Sequence, residues 1–204
     1  MAPNLLIATR NNKKKRELQS ILNTWDVKLL TLDDIEGMPE IVEDGTTFEE
    51  NAIKKARIIA QLSGCITLAD DSGLIVDALD GAPGVYSARF AGLEANDTDN
   101  NHKLFELMNG IAQDKRTARF ICVIAVAAPN GLVKTVQGVC EGKIGLSGRG
   151  QGGFGYDPLF IPEGLEKTFA ELSDDEKNKI SHRGQALQKA KGVLQVVLDL
   201  EGRV

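Results

Sequence analysis

Histidine, cysteine and long hydrophobic runs are all scarce in this chain, and each scarcity excludes a class of chemistry. With only His102 and His182 available, a zinc site built from several imidazoles cannot be assembled. Any metal should therefore be a hard ion held by carboxylate oxygens, of the magnesium kind. The three cysteines, Cys65, Cys122 and Cys140, are odd in number, lack CxxC spacing and sit in apolar surroundings. They read as reduced core residues of a cytoplasmic protein, not as a disulfide framework. The longest unbroken apolar run, Phe120 to Ala128, has nine residues, far short of the roughly 20 that a membrane span needs. Met1-Ala2-Pro3 offers no basic segment ahead of the first apolar stretch, so no signal peptide is expected. Excess positive charge is missing too: 24 Lys and Arg stand against 29 Asp and Glu, for a net charge of −5. Such a chain can bind a polyanion only through a local basic site, which argues against a general coat for polymeric nucleic acid.

What is present is an ordinary globular balance. The 204 residues are 42% hydrophobic and 26% charged, enough for one domain over residues 1–204, with or without two lobes. Strand-like and helix-like segments alternate. Leu5 to Ala8 reads as a short strand, followed by Thr9-Arg10-Asn11-Asn12 and a helix with Leu18, Ile21 and Leu22 on one face. Thr47 and Glu50 form a capping box for a helix carrying Phe48, Ala52, Ala56 and Ile59. Cys65 to Ala69 predicts a buried strand that ends at Asp70-Asp71-Ser72-Gly73, with Leu74 to Leu79 as a second strand. Asp97 is placed to cap a helix carrying Leu104, Leu107, Met108 and Ile111. Phe120 to Ala128 and Leu132 to Cys140 flank Pro129-Asn130-Gly131 as a hairpin. Residues 142–155 hold seven of the 21 glycines and predict a loop, after which Leu159 to Ile161 resumes as a strand. Ser173 and Glu176 form a second capping box, and Ala186, Leu187, Ala190, Val193, Leu194 and Val197 mark a final amphipathic helix. The sum is an α/β protein with a mixed sheet.

Several constellations could carry chemistry. Asp70 and Asp71 repel one another at a strand end, which invites a divalent cation or a raised pKa. A magnesium ion bound there would draw in phosphate oxygens, and a carboxylate could orient or deprotonate water. The same residues, with Ser72 and Gly73, are also common turn formers, and a solvated turn is the simpler reading of that motif alone. Thr9, Asn11, Asn12 and Lys14 precede or begin a helix whose first N–H groups attract an anion, and Lys13, Lys14, Lys15 and Arg16 add positive charge there. An Asn-capped helix with a solvated basic face is the alternative. Lysines at a helix N-terminus oppose its dipole, so a bound anion would relieve that opposition. Lys55 lies only about 20° from Phe48 on a helical wheel of about 100° per residue, inside the apolar stripe. It either snorkels or presents its ammonium to phosphate.

Gly148, Gly150 and Gly153 satisfy G-x-G-x-x-G, but Phe154-Gly155-Tyr156-Asp157-Pro158 follows in place of a helix, so the dinucleotide fingerprint fails. Gly142-Lys143 is no Walker loop, since Ile144 stands where Ser or Thr is required. What remains is a flexible loop ending in two aromatics and an Asp. It could stack a flat ring or anchor a hairpin in the core. Lys177, Ser181, His182 and Arg183 place donors near a helix start, suited to a carbonyl-bearing base or an anion, or to a simple cap and surface pair.

Taken together, these segments resemble the inosine triphosphate pyrophosphatase family, in particular its bacterial XTP/dITP diphosphatase branch. The matching pieces are Thr9-x-Asn11-x-x-Lys14, Gly45-x-Thr47-Phe48-x-Glu50-Asn51-Ala52, Ala69-Asp70-Asp71-Ser72-Gly73-Leu74, Gly81 to Arg89, Gly153 to Pro158 and Ser181-His182-Arg183-Gly184. The resemblance implies an elongated two-lobed α/β fold around a central twisted mixed sheet, with the substrate cleft between the lobes. It also implies a cytoplasmic homodimer that hydrolyses ITP, dITP and XTP to monophosphate and pyrophosphate with magnesium. Carried over by position, Thr9, Arg10, Asn11, Asn12, Lys13, Lys14 and Lys55 hold the triphosphate. Asp71 is the proton acceptor with Asp70 in support, and Glu43 and Asp71 handle magnesium. Ser72 contacts substrate, Phe154, Gly155, Tyr156 and Asp157 form the base pocket, and Lys177, His182 and Arg183 recognise the purine. Arg10 stands where the family more often has Gly, and Ser147-Gly148-Arg149-Gly150 replaces its commoner Pro-Arg-Gly approach. Two other readings compete: a phosphatase that forms an aspartyl-phosphate at Asp70 or Asp71, although the D-x-D spacing is missing, and a nucleotide sensor without catalysis.

Overall fold

The computed structural model describes residues 2–201; Met1 of the Met1-Ala2-Pro3 start lies outside them. Six strands form one mixed sheet in the order β2-β1-β3-β4-β5-β6. The chain divides into two compact units. The first gathers the chain up to Asp71, Cys122–Gly138 and the chain from Arg183 onward; the second comprises Ser72–Ile121 and Val139–His182.

In the first unit, β1 (Asn4–Ile7) pairs in parallel with both β2 (Lys28–Thr31) and β3 (Ile66–Val76), Leu5 lying opposite Leu29 and Ile66. Leu5, Leu6 and Ile7 are all buried, as a strand covered on both faces requires. β2 escaped the sequence reading because four residues, Lys28 to Thr31, show too little alternation to stand out. Helix α1 (Asn12–Leu22) is capped by Asn11, whose side chain accepts the N–H groups of Lys13 and Lys14. Helix α2 (Phe48–Ser63) opens on the expected Thr47–Glu50 capping box and closes at Gly64, whose φ of 66° is the left-handed cap that glycine tolerates best. The core joins Leu5, Ile7, Leu18, Leu22, Leu68 and Ile124 to Ala186, Leu187 and Leu194 of the C-terminal helix.

β3 overturns one expectation. Asp70-Asp71-Ser72-Gly73 is not a turn between two strands but the middle of one continuous strand, Ile66–Val76. Turn propensity lost because Asp70 Oδ2 and Asp71 Oδ2 have partners inside the fold; Asp70 is 1% and Asp71 5% exposed.

In the second unit, α3 (Asp97–Leu107) is capped by Asn96 and not by Asp97, which is its first helical residue. Asn96 accepts from Thr98 and Asp99, and Asp99 bonds back to it, so the capping box begins one residue earlier than expected. β4 (Thr117–Ala127) and β5 (Val133–Ile144) are the expected hairpin neighbours. β5 extends further than expected: Gly142 pairs with Pro162 of β6 (Phe160–Pro162), so the glycine-rich loop begins only at Gly145. A Cβ on Gly142 would sit 2.3 Å from the Ile161 carbonyl oxygen. Glycine is there for close strand approach, not for loop flexibility. Phe120, Phe160 and Phe169 centre this core, with Phe120 edge-on to Phe160 at 4.7 Å. Helix α4 (Asp174–Ile180) carries the expected Ser173–Glu176 box, and α5 (His182–Glu201) follows directly. No helix among the described residues is long and apolar enough to cross a membrane.

Candidate active site

In the first unit, three segments converge on the acids of β3. Lys14, in the first turn of α1, places Nζ 3.3 Å from Asp70 Oδ2, and Arg183 Nη2 donates to the same oxygen at 3.1 Å. Arg183 is also held by Glu17 through Nη1. Lys55 of α2 donates to Glu43 Oε1 at 2.5 Å and to the Asp70 carbonyl at 2.6 Å. The lysine in the apolar stripe is therefore buried and faces acids; the snorkelling alternative is excluded. Its neighbour Lys54 points outward to Asp44.

The two adjacent carboxylates end in opposite electrostatic states. Burial opposes ionisation of Asp70, but the charges of Lys14, Arg183 and Lys55 outweigh it and hold the carboxyl well below the usual carboxylate range. Asp71 is pushed up, chiefly by burial; Glu43 adds repulsion, while Lys55, Lys14 and a hydrogen bond from Asn51 only partly offset these. Lys14 is raised: burial works against its charge, and attraction to Asp70, with smaller help from Asp71 and Glu43, prevails. Asp70 is thus a locked anion, and Asp71 is the neighbour able to exchange a proton or welcome a cation.

Around this centre the predicted phosphate residues take distinct places. Thr9 Oγ1 accepts the Asn11 N–H at 3.2 Å, and Asn11 Oδ1 caps α1 at Lys13 and Lys14. Asn12 is the first residue of α1. Arg10 donates to the Met38 carbonyl at 2.6 Å and so tethers the irregular segment that leads to Glu43.

The second unit holds the predicted base-reading residues. Asp157 Oδ2 accepts the Phe154 N–H and the Lys177 ammonium, both at 2.8 Å. Lys177 also lies 4.9 Å above the Phe154 ring and 5.7 Å from that of Phe169. Gly153 has a φ of 69°, and a Cβ there would meet Asp157 Oδ2 at 2.0 Å, so this turn admits only glycine. Tyr156 is buried and donates to the Ser87 carbonyl at 2.8 Å; burial raises its phenol. It anchors the core, while Phe154 is half-buried. The Gly155 carbonyl is held by Asn101 Nδ2 at 2.6 Å. His182 stacks on Phe120 at 4.7 Å and 11°. Ser72 is half-buried on β3. Arg183, next in sequence to His182, has its guanidinium in the first unit, on Asp70 and Glu17.

Sequence reasoning assigned no role to Asn51, quoted only as part of the family motif, and passed over Glu17 and Asn101. Asn51, completely buried on α2, donates to Asp71 Oδ2 at 2.9 Å. The helical wheel that singled out Lys55 contains the missed signal, since Asn51 lies one turn earlier on the same face. Glu17 and Asn101 had no local signal, because their partners lie 166 and 54 residues away.

The fold and these clusters define an α/β protein with a lysine-ringed pair of buried acids in one unit and an aromatic-flanked lysine–aspartate pair in the other. The chain belongs to the Ham1 family, whose profile matches residues 5–193. A protein named dITP/XTP pyrophosphatase from Desulforamulus reducens is 54% identical over 190 residues, covering 93% of this chain and 94% of that one. A protein of the same name from an Exiguobacterium species is 55% identical over 185 residues, covering 91% and 93%. The solved structure of a HAM1 protein from Coxiella burnetii superposes with a TM-score of 0.86 at 42% identity, covering 95% of this chain and 98% of that one.

Proposed function

We propose that this protein is a house-cleaning nucleoside-triphosphate pyrophosphohydrolase. It cleaves dITP, ITP and XTP to the monophosphate and pyrophosphate and keeps deaminated purines out of nucleic-acid precursor pools. The carrying observation is the electrostatic split between Asp70 and Asp71 within reach of Lys14 and Lys55. Relatives named dITP/XTP pyrophosphatase, matched over more than nine-tenths of this chain, support the substrate class.

Hydrolysis of a phosphoanhydride asks the protein for charge neutralisation, placement of water and a base, with little covalent participation. Lys14, Lys55, Lys13 and Arg10 supply positive charge for the triphosphate, and Thr9, Asn11 and Asn12 are polar groups beside it at the start of α1, whose Lys13 and Lys14 N–H groups are capped by Asn11. Asp71 accepts the proton of the attacking water; burial raises its pKa and so makes it a stronger base than an ordinary carboxylate. Asp70, fully buried and held by two cations, keeps those cations in register and is unavailable as a nucleophile, which disfavours an aspartyl-phosphate at that residue.

Glu43 and Asp71 would hold magnesium, which when bound screens phosphate charge and polarises the reacting centre. The donor set fits that ion. Among the described residues no group of three or more His, Cys, Asp or Glu is arranged for a metal. Magnesium takes only one or two protein carboxylates and completes its shell with substrate phosphates and water. The burial that makes an anionic Asp71 unfavourable is relieved by a cation beside it.

Lys177, held by Asp157, and His182 provide donors for the 6-keto oxygen of hypoxanthine or xanthine, with Phe154 to Tyr156 shaping the pocket. An adenine or guanine amine that finds no acceptor loses roughly 1–3 kcal/mol per group, about ten- to a hundredfold. The reading includes a cytoplasmic homodimer, which sedimentation at several concentrations checks. The deciding experiment incubates the protein with ITP, XTP, ATP and GTP, with and without magnesium. Pyrophosphate and monophosphate from ITP and XTP are expected; orthophosphate as the product, or equal turnover of ATP, would overturn the reading.

A further inference from the structure

Asn51 closes two hydrogen bonds in opposite directions. Its Oδ1 accepts the Gly45 N–H at 2.8 Å, and its Nδ2 donates to Asp71 Oδ2 at 2.9 Å. A backbone N–H can only donate, so Gly45 fixes which way the amide faces. Flipped, the amide would set donor against donor at Gly45 and oxygen against the carboxylate. Four residues further along α2, on the same face, Lys55 makes a second rung from Glu43 Oε1 to the Asp70 carbonyl. One helical turn therefore braces residues 43–45 against residues 70–71 twice. Each rung ends on one of the two carboxylates, Glu43 and Asp71, assigned to metal and water above. Gly45 is part of the device: a Cβ there would sit 2.7 Å from Asn51 Oδ1 and 2.9 Å from the Glu50 Cβ. Only a residue without a side chain lets that N–H reach the amide.

We infer that Asn51 is a positioning residue for the reaction: its amide sets the direction in which Asp71 presents its carboxylate and, with the Lys55 rung, fixes the spacing of Asp71 and Glu43. The inference deepens the pyrophosphohydrolase reading and rests on it. A carboxylate that accepts a proton from water must be aimed, and misplacement by about 1 Å costs on the order of a hundredfold in rate. A partner that orients a metal-binding carboxylate from behind typically changes metal affinity or activity by about 10–100-fold. Asn51 is completely buried and Asp71 nearly so, which stops water from substituting for the amide.

The test uses the full chain. Asn51→Asp keeps the size and the acceptor for the Gly45 N–H but turns an oxygen toward Asp71. Gly45→Ala leaves Asn51 and Asp71 intact and displaces the amide from its far side. Pyrophosphate release from ITP gives kcat and KM, circular dichroism checks cooperative melting, and electron paramagnetic resonance reads Mn2+ binding to the nucleotide-free protein. For Asn51→Asp, kcat should fall about a hundredfold with KM within about threefold. Its added carboxylate itself attracts cations, so the metal readout is taken on Gly45→Ala, which adds no charge and should bind Mn2+ several-fold more weakly. Gly45→Ala should give a smaller loss of kcat, and the double variant should be no worse than Asn51→Asp alone, since both act through one interaction. Parental kcat in a folded Asn51→Asp protein would overturn the inference, as would losses that multiply in the double variant. Should Asn51→Asp fail to fold, Gly45→Ala decides: unchanged kcat and Mn2+ binding would overturn it. A parent chain that releases no pyrophosphate from ITP would end the functional reading, while the Mn2+ titration of Gly45→Ala would still judge Asn51.

Discussion

The two units bury charge in different ways. In the first, acids and cations from distant segments form a mesh: Glu17 to Arg183, Arg183 and Lys14 to Asp70, Lys55 to Glu43. In the second, the buried Asp157–Lys177 ion pair sits beside aromatic rings, Phe154 N–H also donates to Asp157, and Asn101 and Tyr156 donate to backbone carbonyls. A mesh with several cations per acid can trade a carboxylate contact for a phosphate without stranding a charge. An ion pair packed against aromatic faces is held in place by that packing.

That contrast can be broken by mutation. The largest effect is expected at Asp71. Asp71→Asn should lower pyrophosphate release from dITP about a thousandfold, the middle of the range for a lost general base, while equilibrium nucleotide binding changes only a few-fold. Loss of binding without loss of turnover would remove Asp71 from the chemistry. Next comes Lys177→Met in the second unit. It should erode the preference for ITP over ATP about ten- to a hundredfold through KM, with kcat retained better than in Asp71→Asn. If selectivity survives and kcat collapses, the division of labour between the units is wrong.

A subtler contrast lies inside the first unit. Asp70 is depressed in the fold, so the stability it contributes is present above its unfolded pKa and is lost as pH falls below about 4. Asp71 is raised, so its contribution is present below the unfolded pKa and is lost as pH rises through its folded value. Urea midpoints against pH should therefore lose their acid-side fall in Asp70→Asn and their fall on the alkaline side of about pH 4 in Asp71→Asn. Matching pH profiles for the two variants would erase the distinction. The smallest effect should not distinguish the units at all. Thr47→Ala and Ser173→Ala each remove the side-chain acceptor of a capping box and should each cost about 1 kcal/mol in chemical denaturation.

Local rules were legible at most helix ends, where the partner lay within a turn or two, although the α3 cap was placed one residue late. The boxes at Thr47–Glu50 and Ser173–Glu176, the cap at Asn11 and the buried face that includes Lys55 all follow from spacing along a helix. The same rules erred at β3, because Asp, Ser and Gly favour turns only when water is their best partner. They also placed the glycine loop three residues early, since a glycine required by a neighbouring strand looks in sequence like any flexible one.

The amino-acid order alone determined the α/β alternation, the capping boxes at Thr47 and Ser173 and the presence of two adjacent acids in a chain with lysines on the facing helices. Each depends on residue type and short spacing, which the chain carries in one dimension. Only the folded arrangement decided which acid is locked and which is poised, because that difference comes from Lys14, Arg183, Lys55 and Asn51 arriving from separate segments. Arg183 meets Asp70 across 113 residues, and electrostatic energy depends on distance through space, which chain position does not encode.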